Sequence, residues 1–173
     1  ENGVKSYDAL AHCPDLEHLE IRRNPTNVDL LPLAQLPKLR HLVIDGMQID
    51  ALRRIKDLPA LTELELGTEP FDSFEGFPAM PNLRVIRGAE VASLAGIERF
   101  PVLQNLVNFS GKLSSLEPLR ALSKLTHVHI NGCWVRDLSP LLGLHALRDI
   151  WIDTEASGVA VAQLDSLPAL HEV

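Results

Sequence analysis

Leu39-Arg-His-Leu42-Val-Ile44-Asp-Gly-Met-Gln-Ile49-Asp-Ala-Leu52-Arg-Arg-Ile55-Lys-Asp-Leu58-Pro-Ala60 carries two hydrophobic rhythms in 22 residues. Leu42 and Ile44 alternate, which is the spacing of a strand with one buried face. Ile49, Leu52, Ile55 and Leu58 step by three, which suits a turn or two of 3₁₀ or α-helix. Leu61 then opens the same phrase again. A strand followed by a short helical turn is one coil of a solenoid, and the chain is built from copies of it.

The opening apolar residue recurs at Leu16, Leu39, Leu61, Leu83, Leu103, Leu125, Leu147 and Leu170, in steps of 23, 22, 22, 20, 22, 22 and 23. Strand cores follow at Leu19/Ile21, Leu42/Ile44, Leu64/Leu66, Ile86/Gly88, Leu106/Asn108, Val128/Ile130 and Ile150/Ile152. The L-x-x-L-x-L phrase resembles the leucine-rich repeat family. The return segment, as in Val135-Arg-Asp-Leu138-Ser-Pro-Leu141, resembles its 22-residue internalin-like subclass. That resemblance implies a right-handed α/β solenoid with a parallel concave β-sheet and short helical or 3₁₀ convex segments. It covers residues 1–173 as one domain of about seven repeats. Val4, Tyr7, Leu10 and Cys13 copy Ile49 to Leu58, and Leu170 to Val173 opens an eighth strand, so both ends fall inside a repeat. Solenoids close with polar caps, and the expectation is a fragment of a longer chain or ends covered by another chain.

Several coils depart from the pattern. The first carries an extra residue near Asn24 to Val28. The third replaces aliphatics by Phe71, Phe74 and Phe77, read as core. In the fourth and fifth, Gly88 and Asn108 fill the third core slot. Either Asn108 is buried and hydrogen-bonded, or the strand bulges and Phe109 turns inward. These two coils mark a local change of curvature or simple drift of a tolerant repeat. Pro118 and Pro140 suit the first turn of a helical segment, with Ser139 or Asp137 as cap. Pro14, Pro37, Pro59, Pro81, Pro101 and Pro168 end that segment two residues before the next opening leucine. The family's Asn after the strand is matched by Asn24 alone; the other slots hold Met47, Glu69, Gly111, Cys133 and Glu155.

Composition limits function. A net charge of −7 argues against nucleic acid as a partner, since phosphate binding needs a basic face. No apolar run approaches a membrane span, and no N-terminal apolar stretch resembles a secretory leader. Cys13 and Cys133 occupy inward slots six coils, roughly 28 Å, apart at ~4.8 Å per strand, too far to bond each other. Two buried free thiols suit a reducing, cytoplasmic compartment.

Side chains beside the strand leucines face the concave surface. They are His18, Glu20, His41, Val43, Glu63, Glu65, Val85, Arg87, Asn105, Val107, His127, His129, Asp149 and Trp151, continued by Arg22, Asp45, Gly67, Phe109, Asn131 and Asp153. Val107, Phe109, His127, His129, Asp149, Trp151 and Asp153 form the candidate protein-binding patch, because exposed aromatics dominate interface energetics. Trp134 extends its rim. His127, His129 and Asp149 also make a possible zinc set, but no further ligand converges, and the expectation is no metal. No nucleophile elbow, phosphate loop or metalloprotease helix is present, so no catalytic residue and no cofactor is expected. The resulting expectation is a non-enzymatic module that binds a protein on its concave sheet. The alternatives are a spacer or assembly scaffold, or the recognition arm of a larger enzyme or effector.

Overall fold

The computed structural model describes residues 6–22, 29–44 and 49–155. Readings that fall on Val4, Asn24, Asp45, Met47, Pro168 and Leu170 lie outside them. Among the described residues eight strands form one parallel sheet: β1 His18–Ile21, β2 His41–Ile44, β3 Glu63–Leu66, β4 Pro70–Phe71, β5 Val85–Val91, β6 Asn105–Ser110, β7 His127–Cys133 and β8 Asp149–Thr154. The order is β1-β2-β3-β5-β6-β7-β8, with the short β4 beside the far end of β5. Each coil thus lays its strand next to the previous one, and the sheet curls into a partial barrel.

The inward column is continuous. Leu19, Leu42 and Leu64 pair in register, as do Ile21, Ile44 and Leu66. Ile86, Leu106, Val128 and Ile150 extend the first row, and all four are buried.

The returning side explains the step of three. Among the described residues six 3₁₀ segments lie there: Asp8–His12, Leu31–Gln35, Ile49–Arg54, Ile97–Arg99, Glu117–Ala121 and Ser139–Leu141. With three residues per turn, every third side chain points the same way. Leu30, Leu33 and Leu36, or Leu116, Leu119 and Leu122, therefore all reach the core, where an α-helix at 3.6 residues per turn would rotate one out.

One carboxylate or hydroxyl recurs ahead of these segments. The side chain of Ser6, Asp29, Ser93, Ser115 or Asp137 accepts a hydrogen bond from the backbone N–H two residues on, and Ser73 does the same in the third coil, where no 3₁₀ segment follows among the described residues. Asp137, not Ser139, is the acceptor at Pro140. Each segment then closes on a β-turn in which the opening leucine's N–H reaches back three residues. Leu16 bonds Cys13, Leu39 bonds Leu36, Leu61 bonds Leu58 and Leu83 bonds Met80. Pro14, Pro37, Pro59 and Pro81 sit second in those turns, where their fixed φ is an advantage.

The third coil has no 3₁₀ segment among its described residues. Backbone pairing of β4 to β5 and a bridge from Asp57 to Ala79 take its place. The chain's five phenylalanines, Phe71, Phe74, Phe77, Phe100 and Phe109, gather here around Phe74 at centroid distances of 5.1–6.2 Å. Arg53 closes the edge of this cluster: its guanidinium donates to the Ser73 carbonyl at 2.7 Å and lies 5.9 Å from the Phe77 ring centre. Gly96, at φ +91°, passes so close that a Cβ there would stand 2.5 Å from the Phe74 carbonyl carbon.

The irregular coils resolve in favour of a bulge. Asn108 has φ +60°, and the β6–β7 register shifts between Leu106 and Phe109. One left-handed residue reverses the alternation, so Phe109 faces Phe74 and is fully buried. Gly88 does the same in β5 at φ +62°, and a Cβ there would meet the Leu66 carbonyl oxygen at 2.7 Å. Cys133 is buried as expected, but Cys13 is exposed, because no described residue covers the outer side of that first coil.

Candidate functional site

The concave face is tiled by side chains that alternate with the inward column. In the N-terminal half two of its carboxylates, Glu20 and Glu63, are paired with arginines, while Glu65 has no ion pair among the described residues. Arg22 Nε donates to Glu20 Oε2 at 2.9 Å, and His18 Nε2 lies 3.3 Å from Glu20 Oε1. Arg87 Nη1 donates to Glu63 Oε2 at 2.6 Å, two coils further on. These bonds hold the Glu20 and Glu63 carboxyls below the ordinary carboxylate range, the Arg22 and Arg87 guanidinium contacts being the leading causes. The His18 and His41 rings meet edge to face at 4.3 Å.

Val43 departs from expectation: it is only 2% exposed. Its register neighbours are the longer Glu20 and Glu65. Val43 lines a shallow depression of ≈ 380 Å³ together with Arg22, Glu65, Gly67, Arg87 and Asn108.

The C-terminal half holds the proposed patch, and the structure divides its members. Val107, His127, His129 and Asp149 are half-buried, while Trp151 and Asp153 are exposed. Register brings His127 opposite Asp149 and His129 opposite Trp151. The imidazole–carboxylate bond runs diagonally, however: His129 Nε2 lies 2.8 Å from Asp149 Oδ2. A carboxylate only accepts, so this contact assigns the Nε2 proton to His129. His127 is tied elsewhere, its Nδ1 lying 2.8 Å from Thr126 Oγ1 and 3.1 Å from Asn105 Oδ1. Among the described residues no three His, Cys, Asp or Glu side chains converge on a point that could hold a metal ion.

Phe109 does not belong to this surface. The bulge at Asn108 places it in the core, and the patch contracts to Val107, His127, His129, Asp149, Trp151 and Asp153. Trp151 is 62% exposed at its centre, and Trp134 is 46% exposed just beyond β7. The signal for Phe109 was an Asn in a core slot, a residue that tolerates the left-handed region.

No family model and no curated protein matches the sequence. Solved structures do. Internalin C2 from Listeria monocytogenes str. 4b F2365 superposes with a TM-score of 0.73 at 24% identity, over 97% of this chain and 74% of that one. Internalin F from the same strain gives 0.66 at 19% identity, over 97% of this chain and 50% of that one. The chain thus spans about three quarters of the first and half of the second. With its single curled parallel sheet and 3₁₀ returns, it has the internalin-like leucine-rich repeat fold.

Proposed function

We propose that this chain is a non-enzymatic interaction module that binds a protein partner on its concave sheet, centred on Trp151, His127, His129 and Val107. The observation that carries the reading is Trp151, a large indole 62% exposed in the middle of a hydrogen-bonded strand. A fixed aromatic loses little conformational freedom on binding, which is why such residues concentrate affinity. Half-buried imidazoles and the exposed carboxylate of Asp153 around it supply a polar rim. The internalin-like fold supports the reading in general terms.

Trp151→Ala, alone and with His129→Ala, tests it. Thermal unfolding should be unchanged, while capture of the partner by the immobilised protein should fall at least tenfold, the loss of a typical hot spot of about 2 kcal/mol. Undiminished capture by a folded variant would move the interface elsewhere.

A further inference from the structure

We infer that the C-terminal end of the concave sheet receives a basic segment of the partner protein, with an arginine or lysine side chain laid over the Trp151 indole between Asp149 and Asp153. This deepens the concave-face reading and rests on it.

Strand parity sets the geometry. Asp149, Trp151 and Asp153 are alternate residues of β8 and lie on one face, about 6.5–7 Å apart in sequence order. An exposed indole therefore stands with a carboxylate on either side along the strand. The face of an indole attracts a cation, and flanking carboxylates add charge-assisted hydrogen bonds to it.

The distribution of countercharge points the same way. Glu20 and Glu63, further up the concave face, each have an arginine of this chain as partner, whereas Glu65 there has none among the described residues but no indole beside it in its strand. Among the described residues neither Asp149 nor Asp153 has a lysine or arginine; the ionic contact of Asp149 is with His129 alone. The concave positions of β7 and β8 are His127, His129, Asn131, Asp149, Trp151 and Asp153, which include two carboxylates and no Lys or Arg. An apolar partner laid on Trp151 would strip water from both carboxylates without replacing it. An anionic partner would meet repulsion. A cationic side chain satisfies the indole and both carboxylates together, and arginine does so best because its planar guanidinium stacks and forks at once.

The test is selection from a displayed random-peptide library on the wild-type protein, with the selected peptides then titrated against variants. Trp134→Phe leaves Trp151 as the sole indole, so its emission reports occupancy directly. The selected peptides should share an arginine or lysine. Replacing an arginine by neutral, isosteric citrulline, or a lysine by neutral Nε-acetyl-lysine, should weaken binding about tenfold, and Asp153→Asn roughly three- to tenfold, with the difference shrinking at high salt. Trp151→Ala should abolish binding while retaining the wild-type circular dichroism and unfolding midpoint. Peptides that need Trp151 but bind equally well with the neutral replacement, or lack basic residues, would overturn the basic-partner inference and leave the concave-face reading intact. Peptides indifferent to Trp151 would overturn both.

Discussion

Two aromatic residues that strand alternation would place on one face, in β6 and β8, meet opposite fates, and one dihedral angle separates them. Trp151 follows ordinary strand alternation and points out. Phe109 would do so too if Asn108 were extended, but Asn108 sits at φ +60° and turns it into the phenylalanine cluster. Phe109→Ala should therefore cost roughly 3–5 kcal/mol of stability, the usual result of emptying an aromatic core site. Trp151→Ala should stay within about 0.5 kcal/mol, as for a surface site. Asn108→Ala should lower stability by roughly 1 kcal/mol through the left-handed conformation alone, and Asn108→Gly should not. Denaturant midpoints of the four variants separate these outcomes. Two further positions show where a sequence pattern gives out. Val43 alternates correctly yet is buried, which strand alternation alone does not predict. Cys13 has the right slot but no described coil outside it.

At the level of the element, the repeated device is the side-chain acceptor that opens the return segment, present in six coils among the described residues. Its period of about 22 residues is visible as Ser73, Ser93, Ser115 and Asp137, yet these residues do not stand out until their backbone partners are known. Ser115→Ala should cost roughly 0.5–2 kcal/mol, the range of a lost helix cap. The device also makes stability depend on acid. The Ser139 N–H holds the Asp137 carboxyl below its ordinary value, and Arg120 does the same for Glu117. A carboxyl whose pKa is lowered by folding contributes stability that is complete above its unfolded value, near 4, and disappears as pH falls through its folded value. Glu20 and Glu63 act in the same direction. The unfolding temperature should thus be level from pH 7 to about 5 and decline below about 4. Asp137→Asn, which keeps an acceptor oxygen but not the titration, should make that decline shallower. The 3₁₀ form itself was legible only as one of two options, since a step of three fits the start of either helix. Packing decides it: three consecutive inward leucines require three residues per turn.

Taken as a whole, the molecule was legible because a weak signal is repeated. One L-x-x-L-x-L phrase fits many folds, but the same phrase in seven near-constant steps fits a stack of coils. What repetition could not convey is the surface, since concave residues are free to vary from coil to coil. Hence the column of Leu42, Leu64, Val128 and Ile150 came out as expected, while the patch lost a member. A stack in which each coil touches its neighbours has no single central core, and its stability is a sum of coil and interface contributions. The phenylalanine cluster, joining coils three, four and five, makes the middle of that sum the largest. Amide hydrogen exchange should be slowest in β5 and β6 and progressively faster towards β1 and β8; uniform protection would indicate a single cooperative unit instead. Phe74→Ala should shift exchange in the middle coils first, with little immediate effect on β1.

The unbroken ladder His18–His41–Glu63 has a bearing on how such a molecule can change size. Because β1, β2 and β3 match residue for residue with no slip, an extra copy of Leu39–Ala60 has a ready-made seat between them. It would lengthen the arc by about 4.8 Å while leaving every downstream side chain on the face it already occupies. A copy of the coil bearing Asn108 offers no such neutral graft, since it brings its own reversal of inside and outside. The early coils are thus where length is adjustable, and the middle coils are where it is locked.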